Sequence, residues 1–211
     1  MRINIKCEYS LYMNTLTING EGIKPIVYKT VFMGDSSVGK TSLATRIACN
    51  TYTPCGEATI GASYFSKFIE KNNQQYHFNI WDTAGQEKYQ CLVPLYYKNA
   101  DSAIIVYDIT NRTSFENAKL KAAELQKETD ISVILFIGNK SDLIDDRRVS
   151  TKEANEYCKE HDFLFDETSA KLNINVQNML QNMVEKFPPQ EYRDFLLPII
   201  PSEHTGWKSC C

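Results

Sequence analysis

Gly34 and Gly39 bracket Asp35, Ser36, Ser37 and Val38, and Lys40, Thr41 and Ser42 follow at once. This G-x-x-x-x-G-K-T spacing suits an anion cradle. The glycines let the backbone curl so that successive N–H groups point inward. A helix starting near Lys40 would add the positive end of its dipole. The lysine can then reach the outer phosphates of a nucleotide, and the Thr41 hydroxyl can bind Mg²⁺. A glycine-rich turn without chemistry is the competing reading.

Four later segments carry groups that a nucleotide site would use. In WDTAGQEKY (residues 81–89), Asp82 closes an apolar run, where a carboxylate can support a metal. Gly85 has the backbone freedom to approach a γ-phosphate, and Gln86 is a neutral amide able to orient an attacking water. In NKSD (residues 139–142), Asp142 can accept both N1–H and N2–H of guanine, a donor pair that adenine lacks on that edge. Lys140 can lay its aliphatic stem along the base. In TSAK (residues 168–171), backbone N–H groups can donate to guanine O6. In EATIG (residues 57–61), Thr59 can give Mg²⁺ a second hydroxyl. Alone, each segment reads equally well as a surface turn, a helix cap or an ordinary loop. Their order and spacing give the combination its weight.

The elements that must position these groups alternate. PIVYKTVFMG (25–34) is an apolar run ending in glycine, as expected of a buried strand, and KTSLATRIACN (40–50) reads as a helix. SYFSKFIE and QYHFNIW flank KNNQQ, whose Asn72-Asn73 suits a hairpin turn. SAIIVYD (102–108) and ISVILFIGN (131–139) are continuous apolar runs, typical of strands covered on both faces. SFENAKLKAAELQKE, TKEANEYCKEH and INVQNMLQNMVEKF read as helices, and FLFDE as a short strand. In the last helix Val176, Met179, Leu180, Met183, Val184 and Phe187 form one apolar stripe, which core packing explains. The pattern predicts an α/β fold: a six-stranded, mostly parallel sheet with one antiparallel strand and helices on both faces. Each motif then falls at a strand's end, where such folds bind ligands.

The chain has 211 residues and a net charge of −3, and it shows no basic stripe of the kind a nucleic-acid binder carries. No apolar run reaches the roughly 18 residues of a membrane helix. Seven cysteines, an odd number with no C-x-x-C pair, fit reduced thiols in a cytosol better than a disulfide framework or a zinc site. Residues 26–187 form the expected nucleotide-binding domain. Residues 1–25 are an extension that reads as a strand, since Ile3, Ile5, Cys7, Tyr9 and Leu11 alternate with polar residues, as a disordered segment, or as the product of a start codon assigned too early. Residues 188–211 hold four prolines and no helical period, and read as a flexible tail.

With GDSSVGKT, ATIG, WDTAGQ, NKSD and ETSAK in place, the chain from about Ile26 to Phe187 resembles the small GTPases, and specifically the Rab family. IGASYF, WDTAGQEKY, YYKNA (96–100), IVYDIT (105–110) and the terminal CC carry the Rab-like character. GDSSVGKTSL together with ATIGASYF is similar to the early-endosomal branch. The resemblance implies a P-loop small G domain that hydrolyses GTP to GDP and phosphate, slowly unless an activating protein helps. Asp35 to Ser42, with Gly34, would line the phosphates. Thr41, Thr59 and Asp82 would serve Mg²⁺, and Gln86 would position the hydrolytic water. Asn139, Lys140 and Asp142, helped by Ser169, Ala170 and Lys171, would read the base. Tyr52, seven residues before Thr59, would lie against it.

Tyr64, Trp81 and Tyr96 match the aromatic trio that Rab effectors contact, with core packing as the equally good alternative. Cys210 and Cys211 would carry lipids. An exchange factor, a GTPase-activating protein, effectors and a carrier of the GDP-dissociation-inhibitor type are the implied partners of a monomer without nucleic acid. The implied setting is the cytosol and the cytoplasmic face of endosomal membranes, in vesicle traffic. Ser36 and Asn99 stand where relatives often carry glycine. A nucleotide-binding scaffold without hydrolysis is the alternative function, and a P-loop ATPase or kinase the alternative chemistry, which NKSD opposes.

Overall fold

The structure is a computed structural model that describes residues 4–5, 17–18, 21–22, 25–54, 59, 61–85 and 93–188. The central sheet has six long strands: β4 (Ile26–Met33), β5 (Ala62–Lys71), β6 (Gln74–Thr83), β7 (Ser102–Asp108), β8 (Val133–Asn139) and β9 (Leu164–Thr168). A two-residue strand, β1 (Asn4–Ile5), lies parallel beside Ser63–Tyr64 at the edge, giving the order β1-β5-β6-β4-β7-β8-β9. At these two residues the strand reading of the extension holds. A separate antiparallel pair, β2 (Thr17–Ile18) and β3 (Glu21–Gly22), was not expected. Within the six-stranded core every pairing is parallel except β5 with β6. That exception is the expected hairpin. Its turn residues Asn72 and Asn73 take φ of 53° and 60°, a left-handed pair that asparagine tolerates and that matches the strands' twist.

β7 and β8 are buried at every residue, which is why they read as unbroken apolar runs. Successive residues point to opposite faces. Ile104 and Val106 join Leu43, Ala44 and Ile47 of α1 (Lys40–Cys49) and Met179, Leu180 and Met183 of α5 (Met179–Lys186) in one core. Ala103, Ile105 and Tyr107 join the other core, with Tyr96 and Tyr97 of α2 (Val93–Tyr97), Phe115, Ala118, Ala122 and Leu125 of α3 (Arg112–Glu128), and Ala154 and Cys158 of α4 (Thr151–Glu160). Helices therefore cover both faces. Asn111 caps α3 through Ser114 N–H, and Ser150 caps α4 through Glu153 N–H.

Two expectations need correction. The last helix begins at Met179 and not at Ile174. Asn173 and Asn175 take left-handed φ of 58°, and Ile174 exchanges two backbone hydrogen bonds with Ser169, so the chain is committed to a turn until Asn178. The stripe survives, because Val176 is buried from that turn. The cysteine reading also changes. Cys49 is disulfide-bonded, and an odd total with no C-x-x-C spacing never excluded a single pair. Cys158 is a free, buried thiol whose pKa burial pushes up to about 12.

Candidate nucleotide-binding site

The loop from Gly34 to Gly39 joins β4 to α1 at the carboxyl end of the parallel strands. Ser36 and Ser37 are exposed at its crest, while Val38 is buried beneath. Gly39 takes φ of 100°, and a Cβ there would come 2.2 Å from Asn139 Nδ2. Lys40 opens the helix and is only 5% exposed. Its ammonium donates to the carbonyls of Gly34 at 3.0 Å and Asp35 at 2.6 Å. Burial lowers its pKa to about 8, against the pull of Asp82 and Asp35 toward the charged form. Asp35 is itself held from α3: Asn117 Nδ2 donates to one carboxylate oxygen at 2.7 Å and Lys121 Nζ to the other at 2.8 Å.

Three oxygen-bearing groups converge beside this loop. Thr41 Oγ1 lies 2.8 Å from Thr59 Oγ1 and donates to Asp82 Oδ2 at 2.7 Å, and Thr59 Oγ1 reaches the same carboxylate oxygen at 3.5 Å. They come from α1, from the segment before β5, and from β6. Gly85 follows Asp82 closely. A Cβ at Gly85 would stand 2.5 Å from both Lys40 Nζ and the Asp35 carbonyl oxygen, so only glycine brings this backbone against the loop. Among the described residues no group of three His, Cys, Asp or Glu could hold a metal. The hydroxyl pair with one carboxylate is the oxygen set that suits Mg²⁺ shared with phosphates, which takes few protein ligands.

A second cluster lies at the ends of β8 and β9. Asn139 is 2% exposed. Its Nδ2 donates to the Val38 carbonyl at 2.9 Å, and its Oδ1 accepts from Ala170 N–H and Thr168 Oγ1, each at 3.3 Å. Lys140 takes φ of 67° and pairs with Asp108 at 2.5 Å. Ser169 Oγ donates to Asp142 Oδ1 at 2.5 Å. Five of the six residues expected to read a base are thus adjacent, with the sixth, Lys171, exposed beside them. Tyr52 packs against the α1 and α5 core, with the Arg46 guanidinium 5.9 Å over its ring.

Tyr64, Trp81 and Tyr96 form one aromatic chain. Tyr64 meets Trp81 edge-on at 5.5 Å, and Trp81 meets Tyr96 at 5.9 Å. Tyr64 and Tyr96 are each 5% exposed, so packing accounts for most of their surface, and Trp81 is half-buried. Gln86, Cys210 and Cys211 lie outside the described residues. Sequence reasoning missed Asn117, Lys121 and Asp108. Asn117 and Lys121 stand four apart on one helix face, but their common partner Asp35 is far away in the chain and no local pattern marks it.

A glycine-edged loop running into a helix, a buried lysine, two hydroxyls on one carboxylate and an N-K-x-D cluster at neighbouring strand ends define a P-loop nucleotide-binding protein. The Ras family model matches residues 29–188. The chain is 40% identical over 195 residues to the Ras-related protein RABF2a of Arabidopsis thaliana, covering 90% of this chain and 98% of the relative. It is 41% identical to the Ras-related protein RHN1 of Nicotiana plumbaginifolia and 40% identical to the Ras-related protein Rab5 of Nicotiana tabacum, each over 188 residues, 87% of this chain and 94% of the relative. The chain belongs to the Ras family. It is a Rab-type small GTPase, an enzyme that hydrolyses GTP and serves as a switch in endocytic traffic.

Proposed function

We propose that residues 26–187 act as a Mg²⁺-dependent switch in which the two clusters divide the nucleotide between them. The observation that carries this is the meeting of Thr41, Thr59 and Asp82 beside the buried Lys40. Lys40, now on the Gly34 and Asp35 carbonyls, is placed to exchange them for β- and γ-phosphate oxygens. The loop N–H groups from Asp35 to Ser42 receive the remaining phosphate charge. Thr41 and Thr59 would hold Mg²⁺ with Asp82 behind them, and the ion neutralises charge on the phosphates when bound. Gln86 orients the attacking water. Asn139 fixes the base loop, while Asp142 accepts from N1–H and N2–H of guanine. Thr59 and Gly85 would meet the γ-phosphate end of the nucleotide and lose that contact after hydrolysis.

The wider proposal concerns place and partners. Trp81 is the member of the aromatic trio that effectors would contact, with the buried Tyr64 and Tyr96 packed behind it and holding it in place. An exchange factor, an activating protein and a GDP-dissociation-inhibitor-type carrier complete the cycle. Cys210 and Cys211 carry two prenyl groups, since one chain gives only marginal membrane binding and the tail is not basic enough to supply the second anchor. The tail from 188 to 209 spans at most about 70 Å, which lets the domain stand off an endosomal membrane.

The test is a nucleotide titration of Asp142→Asn. Binding should shift from guanine toward xanthine nucleotides, because the donor and acceptor at that edge exchange places. Unchanged GTP affinity removes Asp142 from the site. Cys210→Ser with Cys211→Ser should leave nucleotide binding intact and release the protein from membranes on fractionation.

A further inference from the structure

Arg46 stands in α1, six residues beyond Lys40. Its Nε donates to the Ala170 carbonyl at 3.0 Å and its Nη2 to the Lys171 carbonyl at 3.2 Å. Nη1 donates to the Asn50 carbonyl at 2.8 Å. The planar guanidinium therefore grips two successive carbonyls of the Thr168–Lys171 loop while tied at its third nitrogen to the end of its own helix. Gln177 Nε2 donates to the Arg46 carbonyl at 3.3 Å, so this residue's backbone is held as well.

The consequence follows from peptide geometry. No cis peptide occurs among the described residues. In a trans peptide the C=O and N–H point in opposite directions. The Ala170 carbonyl and the Lys171 N–H belong to the same peptide unit. Holding that carbonyl on Arg46 fixes the direction of the Lys171 N–H, away from the arginine. The neighbouring donors are already used. Ser169 N–H goes to the Ile174 carbonyl at 3.1 Å, Ala170 N–H to Asn139 Oδ1 at 3.3 Å and Leu172 N–H to Ser169 Oγ at 3.0 Å. Among the described residues Lys171 N–H donates to no protein group.

We infer that Arg46 is the positioning residue that aims the Lys171 N–H at the base and so sets how strongly the site demands a carbonyl oxygen at purine position 6. The inference rests on the reading of Ser169–Lys171 as the base-edge loop. Guanine presents an acceptor at that position. Adenine presents an amino group, which would leave the N–H facing another donor. Arg46 touches no ligand. It acts through one peptide plane, and the flat fork of arginine is what spans two adjacent carbonyls; a lysine is a single point charge.

Competition against labelled GDP with three unlabelled nucleotides tests this on the purified full chain. GDP presents both recognition edges, 2-aminopurine riboside diphosphate lacks O6 and with it the N1–H while keeping the 2-amino group, and IDP keeps O6 and N1–H and lacks the 2-amino group. The loss of N1–H weighs equally on wild type and variant, so the change in ratio reads O6. In Arg46→Gln the preference for GDP over the 2-aminopurine nucleotide should narrow about tenfold, the scale of one hydrogen bond left unmade. The preference for GDP over IDP, which Asp142 controls, should stay at the wild-type value. Arg46→Lys should narrow the first ratio by a smaller factor, and it decides the matter by the same ratio if the glutamine variant does not fold. A wild-type ratio in the variant, or equal narrowing at both edges, overturns the inference. A wild-type protein that does not distinguish GDP from the 2-aminopurine nucleotide overturns instead the reading of Ser169–Lys171 as the base-edge loop.

Discussion

Asn139 Nδ2 donates to the Val38 carbonyl at 2.9 Å across 101 residues of sequence. One buried amide thereby ties the phosphate loop to the base loop, since its Oδ1 accepts from Thr168 and Ala170. The same Nδ2 would lie 2.2 Å from a Cβ on Gly39. The second glycine of the loop is thus demanded by this asparagine as well as by any phosphate.

Asn139→Asp replaces the donor facing Val38 with an acceptor. Two acceptors then oppose each other in a dry site. The expected loss is about 1–3 kcal/mol of stability, with faster GDP release. Thermal denaturation and a fluorescent-GDP release assay read both; wild-type release would show that the two loops are held independently.

Gly85→Ala should leave the sheet intact and damage the response to the γ-phosphate. An added Cβ would sit 2.5 Å from Lys40 Nζ and the Asp35 carbonyl oxygen, so the backbone at 85 must retreat. GDP affinity should change little. Single-turnover GTP hydrolysis should fall by at least about tenfold, as expected when a positioned backbone contact is lost. Hydrolysis at the wild-type rate would mean this approach is not used.

His77 provides a pH test remote from the site. It is 4% exposed, hydrogen-bonded to Ser66 Oγ at 2.7 Å and stacked on Phe68 at 4.1 Å. Burial lowers its pKa from 6.5 to about 4. Between these values the unfolded chain binds the extra proton, so stability falls as pH drops from 6.5 toward 4. The contribution is about 3 kcal/mol across the window. His77→Gln should flatten that part of a urea-midpoint curve against pH; an unchanged slope would place the loss on other groups.

Much of this was legible in the sequence because the signals were local. The apolar runs of β7 and β8 announce burial on both faces, and Asn72-Asn73 marks its turn. Asn99, standing where glycine is frequent, takes φ of 57°, a left-handed position that either residue can fill. The start of α5 was misread because its apolar stripe extends into the preceding turn at Val176, and periodicity does not see the left-handed Asn175. The clusters were legible as motifs, but the contacts that hold them were not. Asp35 with Lys121, Arg46 with Ala170 and Asn139 with Val38 join residues 86, 124 and 101 positions apart. Spacing along a chain carries no record of such pairs until the fold brings them together.

The central claim is that this site hydrolyses GTP with Mg²⁺ and chooses guanine. Single-turnover phosphate release from the purified chain loaded with γ-labelled GTP measures it most directly, with Gln86→Leu beside the wild type. One phosphate per bound nucleotide should appear with Mg²⁺, excess ATP should not compete during loading, and the leucine variant should bind GTP yet release phosphate more slowly. Bound GTP that stays intact in the wild type, or loading that ATP blocks as well as GTP does, would contradict the account.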